Sequence, residues 1–427
     1  MRNFVKSVKI KGLWGVKNVH IDLFEDVNIL FGGNGSGKTT FLHIVEALLN
    51  LDFGDLDDLY FDEVEIVIHN DENNKLLVQR LMDDMVTPSY RYVFSDGEVI
   101  DIKSSDIRTA YRGRLVSRNL YMHLKDRLNE MANVSWLSIN RLNESFDRSE
   151  RRLDLARTDV DLKLNQLMNQ IVSYRLQLET KVNERTKKFN EDIVSLLLFN
   201  RDYDKFPSRE NIQKIKSYTK DYIVTELHKV FSYFGNPREH TQQIQQHAEI
   251  ISHVVDKLDS NEGSFTAEEL LSLSLMIRTG AILGLSSEYQ ADKAKIMEPL
   301  TLYLTIVTQY LKDKRMEFSP VTGELIPSVK IGDKKERALD INSLSSGEKQ
   351  LLILLTETLL QQSLPYIFIA DEPELSLHIE WQRNLINSIR SLNPNAQIIF
   401  ATHAPEIAAN HALKLINMQK VTTYVEQ

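Results

Sequence analysis

Residues 32 to 39 read "GGNGSGKT", a glycine, four residues, then Gly-Lys-Thr, set between the apolar runs "VNILF" and "TFLHIVEALL". Glycines at this spacing let consecutive backbone N–H groups curl around phosphate oxygens, and a helix starting at the end of the loop adds its positive dipole end. Lys38 can then reach terminal phosphates, and Thr39 can offer a hydroxyl to Mg²⁺. The expected nucleotide-binding residues are therefore Gly32, Asn34, Gly35, Ser36, Gly37, Lys38, Thr39 and Thr40.

Two further places supply what phosphate chemistry needs. "YIFIADEP", residues 366 to 373, is an apolar run ending in two carboxylates. A strand there would hold Asp371 near Mg²⁺ and present Glu372 to orient or deprotonate an attacking water. "IIFATHAPE" delivers His403 at the tip of a second apolar run. A lone histidine is more often structural, but strand tips are where α/β sheets bind ligands, and a bond to the γ-phosphate or the water would make His403 a nucleotide sensor.

The fourth place is "INSLSSGEKQLLILL", residues 341 to 355. Ser, Ser and Gly ahead of an apolar run are ordinary helix-cap residues that satisfy orphan backbone donors. Position argues for more, since Gly347 lies 24 residues before Asp371 and the order is phosphate loop, "LSSGEK", acidic pair, His.

These pieces need strands to carry them. The first 100 residues alternate strand-like runs with turns: "FVKSVKI", "NVHIDLF", "VNILF", "EVEIVIH" and "KLLVQRL", read as one mixed sheet with a glycine loop. "VSWLSI" adds another strand. From about 155 to 315 the pattern turns helical, with Met168, Ile171, Leu178, Val182, Phe189, Ile193 and Leu196 at three-four spacing. Arg175 and Arg185 interrupt that seam, which predicts a short helical hairpin. Thr266 and Glu269 have capping-box spacing before a further helix. Strand runs return in "RMEFS", "LIPSVKI", "PYIFIAD" and "AQIIFATH". The expected fold class is α/β: a head of mixed sheet and flanking helices, with lobes 1–150 and 316–427 split by a helical insertion, 151–315.

With 427 residues, 42% of them apolar, the chain can bury a large core. No run approaches the roughly 18 apolar residues that span a bilayer, and the start lacks a signal-peptide stretch, so a cytoplasmic location is expected. Zero cysteines exclude thiolate catalysis and thiolate zinc sites. A net charge of −9 disfavours general nucleic-acid binding, although Arg108 to Asp159 carries eleven Lys or Arg against seven Asp or Glu. That stretch is either a solvated helical face or a basic docking surface.

In this order the motifs resemble those of the ABC-type ATPase superfamily. Leu344, Ser345, Ser346, Gly347 and Glu348 align with its LSGGQ signature loop, with Ser346 for the first Gly and Glu348 for Gln. The resemblance implies that Ser345, Ser346, Gly347 and Glu348 contact ATP held by another subunit, and that heads dimerise face to face. "DEPELSLHIEWQ", with His378 where transporter heads have Asp, and "ATHAPE" are similar to the SMC-like and OLD-like branch. That branch serves DNA repair and anti-phage defence. The insertion is too short for a long coiled coil, and the 24 residues after His403 leave no room for a TOPRIM nuclease.

The chain thus resembles the stand-alone ATPase subunits of bacterial defence systems, PARIS most closely and Septu next. This implies homo-oligomerisation, a separate TOPRIM-type nuclease partner and a phage trigger protein, an acidic DNA mimic, for which the basic stretch would be a docking surface. An SMC-like role on DNA is the alternative. No glutamine of the type that follows a strand to reach Mg²⁺ is evident, and Asn140 or Arg141 is the substitute. Trp14 reads either as core or as an adenine platform.

Overall fold

The computed structural model describes residues 3–70, 72–84, 87–104, 115–138, 159–196, 198, 213, 218–259, 266–331 and 335–425. The chain divides into two compact units, one of residues 1–174 and 299–427, the other of residues 175–298.

In the first unit the chain runs through β1 (Phe4–Leu13), β2 (Lys17–Asp22), β3 (Val27–Phe31), α1 (Lys38–Asn50) and α2 (Phe53–Asp57). It continues through β4 (Glu63–Asn70), β5 (Glu72–Asp84), β6 (Thr87–Phe94), β7 (Val99–Lys103), α3 (Leu115–Met131) and β8 (Asn133–Ser138). Helix α4 (Asp159–Ser195) leads into the second unit, which holds α5 (Lys220–Ser232) and α6 (Thr241–Asp259), and α7 (Ala267–Tyr310) leads back. The first unit is completed by β9 (Arg315–Phe318), β10 (Leu325–Ile331), β11 (Lys335–Ala338), α8 (Ser346–Leu360) and β12 (Tyr366–Asp371). After these come α9 (Ile379–Leu392), β13 (Gln397–Ala401), β14 (Leu415–Asn417) and β15 (Thr422–Tyr424).

The early strands do not form one mixed sheet. They divide between an antiparallel sheet, β15-β2-β1-β4-β5-β6-β7, and a parallel sheet, β14-β3-β13-β12-β8. The residues explain the division. In β1 and β4 Val5, Val8, Ile10, Val64, Ile66 and Ile68 face the core while Lys9, Lys11, Glu63 and Glu65 pair across the outer face. That alternation suits a sheet with one covered side. Strands β3, β12 and β13 are apolar almost throughout and buried on both faces, as parallel strands must be.

Their register sets the site. Leu30 pairs with Ala401, Ala401 with Asp371, and Asp371 with Ser138, so β3, β13, β12 and β8 end flush at their carboxyl ends. A separate three-stranded antiparallel sheet, β11-β10-β9, follows the return from the helices.

Within the second unit the helical seam is real, and the arginine in it is accommodated by charge. Phe189 is fully buried, its ring stacked on Tyr289 at 4.8 Å, and the hydroxyls of Thr186 and Tyr289 lie 2.9 Å apart. Arg185, only 15% exposed at its side chain, donates to Asp292 at 2.6 Å. Helices α4 and α7 thus meet as a hairpin over these residues. Helix α7 begins at Ala267, directly after Thr266.

Candidate functional site

The parallel sheet brings three of the four motifs to one rim. Strand β3 ends at Phe31 and the glycine loop turns into α1 at Lys38. Gly37, the residue before the helix, has φ +93°, a conformation side chains rarely adopt. A Cβ on Gly32 would lie 2.9 Å from Ser36 Oγ, so the loop is as tight as a phosphate cradle requires. Ser36 Oγ itself is buried with no hydrogen-bond partner among the described residues.

Lys38 is 6% exposed and donates from Nζ to Gly32 O and to His403 Nε2, each at 2.9 Å. Because an ammonium only donates, His403 accepts through Nε2 and carries its proton on Nδ1. Burial draws the Lys38 amine below its ordinary value, while the Glu372 and Asp371 carboxylates work against that fall.

Asp371 ends β12 beside the loop. Burial raises its carboxyl above the ordinary value, although the Thr39 hydroxyl donates to it. Its Oδ1 is buried without a hydrogen-bond partner among the described residues. An orphaned carboxylate oxygen beside a threonine hydroxyl is the donor set that a hard divalent cation completes with phosphate and water. No group of three or more His, Asp or Glu among the described residues is arranged to hold a metal ion by itself, so any such ion would be held largely by its nucleotide.

Glu372 is a non-glycine residue at φ +48°, its N–H tied to Ala401 O at 2.8 Å. Such a conformation persists only when the surroundings impose it, and it collects at functional sites. It aims the carboxylate across the rim, with Oε1 3.9 Å from His403 Nε2. A cavity of about 340 Å³ joins these groups, lined by Asn34, Gly35, Ser36, Gly37, Lys38, Thr39, Thr40, Glu372, His403 and Trp14. Trp14 is no core residue: it is 39% exposed, with Lys17 Nζ 4.9 Å from its ring centre.

The fourth motif lies elsewhere. Ser345 caps α8, and with Glu348 it forms a reciprocal capping box, Ser345 N–H donating to Glu348 Oε2 at 2.8 Å. Ser345 and Ser346 are exposed and do not line the Lys38 cavity. Gly347 is buried, and a Cβ there would come within 2.3 Å of Ser376 O in the segment after the acidic pair. Gln350 in the same helix donates to Pro373 O at 2.8 Å. This helix is thereby fastened to the segment that follows Glu372, while its exposed serines stay outside the lining of this chain's own cavity.

Glu374 was not singled out from the sequence. It is 7% exposed, and its Oε1 accepts from the Thr402 hydroxyl and from the N–H groups of His403 (3.2 Å) and Ala404 (3.3 Å). This carboxylate shapes the turn that presents His403. The available signal was a third acid two residues beyond Glu372, too close to a turn to be read as buried. Asn140 and Arg141 lie outside the described residues, as do Arg108, Arg112, Arg114, Arg151 and Arg152 of the basic stretch. Arg127, within it, is engaged by Asp96, Glu98 and Glu130.

Among known proteins, the probable ATPase of retron Vc95 from Vibrio cholerae serotype O1 biovar El Tor is 20% identical over 414 residues, 92% of this chain and 69% of that protein. The probable ATPase of retron Ec83 from Escherichia coli is 29% identical over 141 residues, 29% of this chain and 26% of that protein. Two solved structures are similar across 99% of this chain. One is an Smc head domain with an extended coiled coil bound to the C-terminal domain of ScpA, from Pyrococcus furiosus (15% identity, 96% of that chain, TM-score 0.42). The other is an SmcHead bound to the C-winged helix domain of ScpA (13%, 97% of that chain, TM-score 0.38). The AAA ATPase domain family, AAA_15, matches residues 4–408, nearly the whole chain, and the protein belongs to that family as an ATP-binding, ATP-hydrolysing ATPase.

Proposed function

We propose that this ATPase is the nucleotide-driven subunit of a bacterial anti-phage defence system, working as at least a head-to-head pair that controls a separate nuclease of the TOPRIM type. The motif resemblance and the retron ATPases among its relatives support the defence setting. The paired arrangement is carried by one observation: Ser345 and Ser346 are exposed outside the cavity that Lys38, Glu372 and His403 line. One chain therefore holds an incomplete site, and a second copy's α8 end would complete it.

Within the site, Lys38 turns from Gly32 O and His403 toward the β- and γ-phosphates, neutralising charge that grows on the transferred group. Glu372 orients the attacking water and takes its proton. His403, released by Lys38, is placed by the Glu374-held turn to donate to the γ-phosphate or to fix the water. Thr39 and Asp371 would hold Mg²⁺. That ion, when bound, screens the phosphate charge. Ser345, from the other copy, clamps the γ-phosphate so that hydrolysis depends on pairing.

The finer reading is a PARIS-type subunit whose nuclease is released when a phage protein, an acidic DNA mimic, binds. The test is co-expression with the neighbouring gene product and purification with and without ATP. A nuclease that co-purifies and leaves on adding trigger and ATP supports the reading. Turnover that requires DNA, with no protein bound, contradicts it in favour of a DNA-maintenance ATPase.

A further inference from the structure

Glu348 puts a carboxylate at the head of α8, next to the serine that is to meet a γ-phosphate. A negative charge there suits the helix itself, but it offsets the positive end that would attract an arriving phosphate and repels that phosphate directly. In this structure the charge is compensated. Glu348 Oε2 accepts from Ser345 N–H at 2.8 Å and from Ser345 Oγ at 3.0 Å, while Oε1 accepts from Lys314 Nζ at 2.5 Å. The Lys314 and Glu348 side chains are 25% and 13% exposed, so water screens the pair weakly. Burial would lift the Glu348 carboxyl, but the bonds from Lys314 and Ser345 outweigh it and hold the group below its ordinary value. Glu348 is thus ionised at neutral pH, and its partner comes from outside the signature.

Lys314 lies between α7 and β9, its N–H bonded to Leu311 O in the turn that ends α7. It is not needed to cap α8. The reciprocal Ser345–Glu348 box satisfies the helix end without it. What Lys314 alone supplies is a positive charge on the far oxygen of Glu348.

We propose that Lys314 is a positioning residue for the shared ATP site: by cancelling the Glu348 charge and pinning that carboxylate against Ser345, it lets a signature loop with an acid in it receive the γ-phosphate of a second copy. This rests on the reading that Ser345 serves another chain's ATP. It predicts that the importance of Lys314 depends on the charge of Glu348 and on nothing else in the fold.

The test uses the full chain in four forms: wild type, Lys314→Met, Glu348→Gln and the double variant, with Lys314→Arg alongside. Steady-state ATP hydrolysis gives kcat and KM, and light scattering gives ATP-driven self-association. Lys314→Met should lower kcat about 10-fold and weaken self-association, as expected for a coupled, part-buried pair. The same change in the Glu348→Gln background should cost less than about twofold, because no charge remains to cancel. Lys314→Arg should keep at least about half of the wild-type kcat, since the charge is retained. An equal loss in both backgrounds, or no loss in either, overturns the proposal. If Lys314→Met fails to fold, the double variant and Lys314→Arg still decide: a double variant far below Glu348→Gln alone counts against it. Ser345→Arg separates the two layers. Wild-type turnover by Ser345→Arg defeats the shared-site reading itself, whereas loss of turnover there with a background-independent effect at Lys314 defeats only this inference.

Discussion

Replacing glycine by alanine inside a helix ordinarily stabilises a protein by about 0.5–1 kcal/mol, because the unfolded chain loses freedom. Gly347→Ala should do the opposite. Its Cβ would stand 2.3 Å from Ser376 O, and reaching ordinary contact at 3.4 Å requires the two backbones to part by about 1 Å. The Ser376 side cannot yield freely. Ser376 is itself at φ +69°, and its neighbours are tied back, Leu375 N–H to Glu372 O at 3.1 Å and Leu377 N–H to Glu374 O at 2.9 Å. Overpacking of this kind costs about 1–3 kcal/mol, more than the entropic gain returns. The displacement also runs into Glu372 and Glu374, so turnover should fall with stability.

Gly284 in α7 is the control, since an added Cβ there meets nothing within 4 Å. Gly284→Ala should stabilise by the ordinary about 0.5–1 kcal/mol. Urea unfolding followed by tryptophan fluorescence reports the first unit, which holds Trp14, Trp136 and Trp381. Helical circular dichroism follows both units together, so a transition it shows without the fluorescence belongs to the second. If Gly347→Ala stabilised like Gly284→Ala, with unchanged turnover, the close approach of α8 to the segment after the acidic pair would be refuted.

Two other substitutions probe the rim. Asp371→Asn should stabilise the nucleotide-free protein, by about 1 kcal/mol, because it removes a buried carboxylate with an unpartnered oxygen; it should also abolish Mg²⁺-dependent hydrolysis. Thermal melting of the nucleotide-free protein checks the first, and phosphate release from Mg²⁺-ATP checks the second. Glu374 gives a pH dependence of definite sign. Burial lifts its carboxyl above the ordinary 4.5 despite the Thr402, His403 and Ala404 donors, so the folded chain binds that proton more tightly than the unfolded chain. Its contribution to stability is therefore largest below the ordinary value and declines as pH rises through the raised one. Relative to Glu374→Gln, the wild type should lose stability across that window by up to about 1.4 kcal/mol per pH unit, and a flat difference in denaturation midpoints would contradict the shift.

What could be read from the sequence was what chemistry and local pattern encode. "VNILF", "YIFIAD" and "QIIFA" announce doubly buried strands because they are apolar almost throughout, and the glycine loop and acidic pair sit where those strands must end. Contacts between distant segments were not legible. Strands β6 and β7 were missed, and so were β14 and β15, which join β3 and β2 through pairings invisible in short runs such as "LIN" and "TTY". Trp14 gave no sign of whether it faced core or cavity, because that depends on the turn at Gly12 to Gly15, where Trp14 itself takes φ +54°. Glu374 looked like one more acid in a turn until its three donors from the His403 turn were in place.

The central claim is that Lys38 of one chain and Ser345 of another act on the same ATP, and mixing inactive variants tests it directly. Lys38→Ala lacks the phosphate lysine, and Ser345→Arg blocks the signature. Each alone should be inactive. A mixed pair contains one site with both groups intact, so equimolar mixing should restore turnover, up to about a quarter of wild type if each site works alone. Mixtures no more active than their parents, or a Ser345→Arg variant as active as wild type by itself, would contradict it.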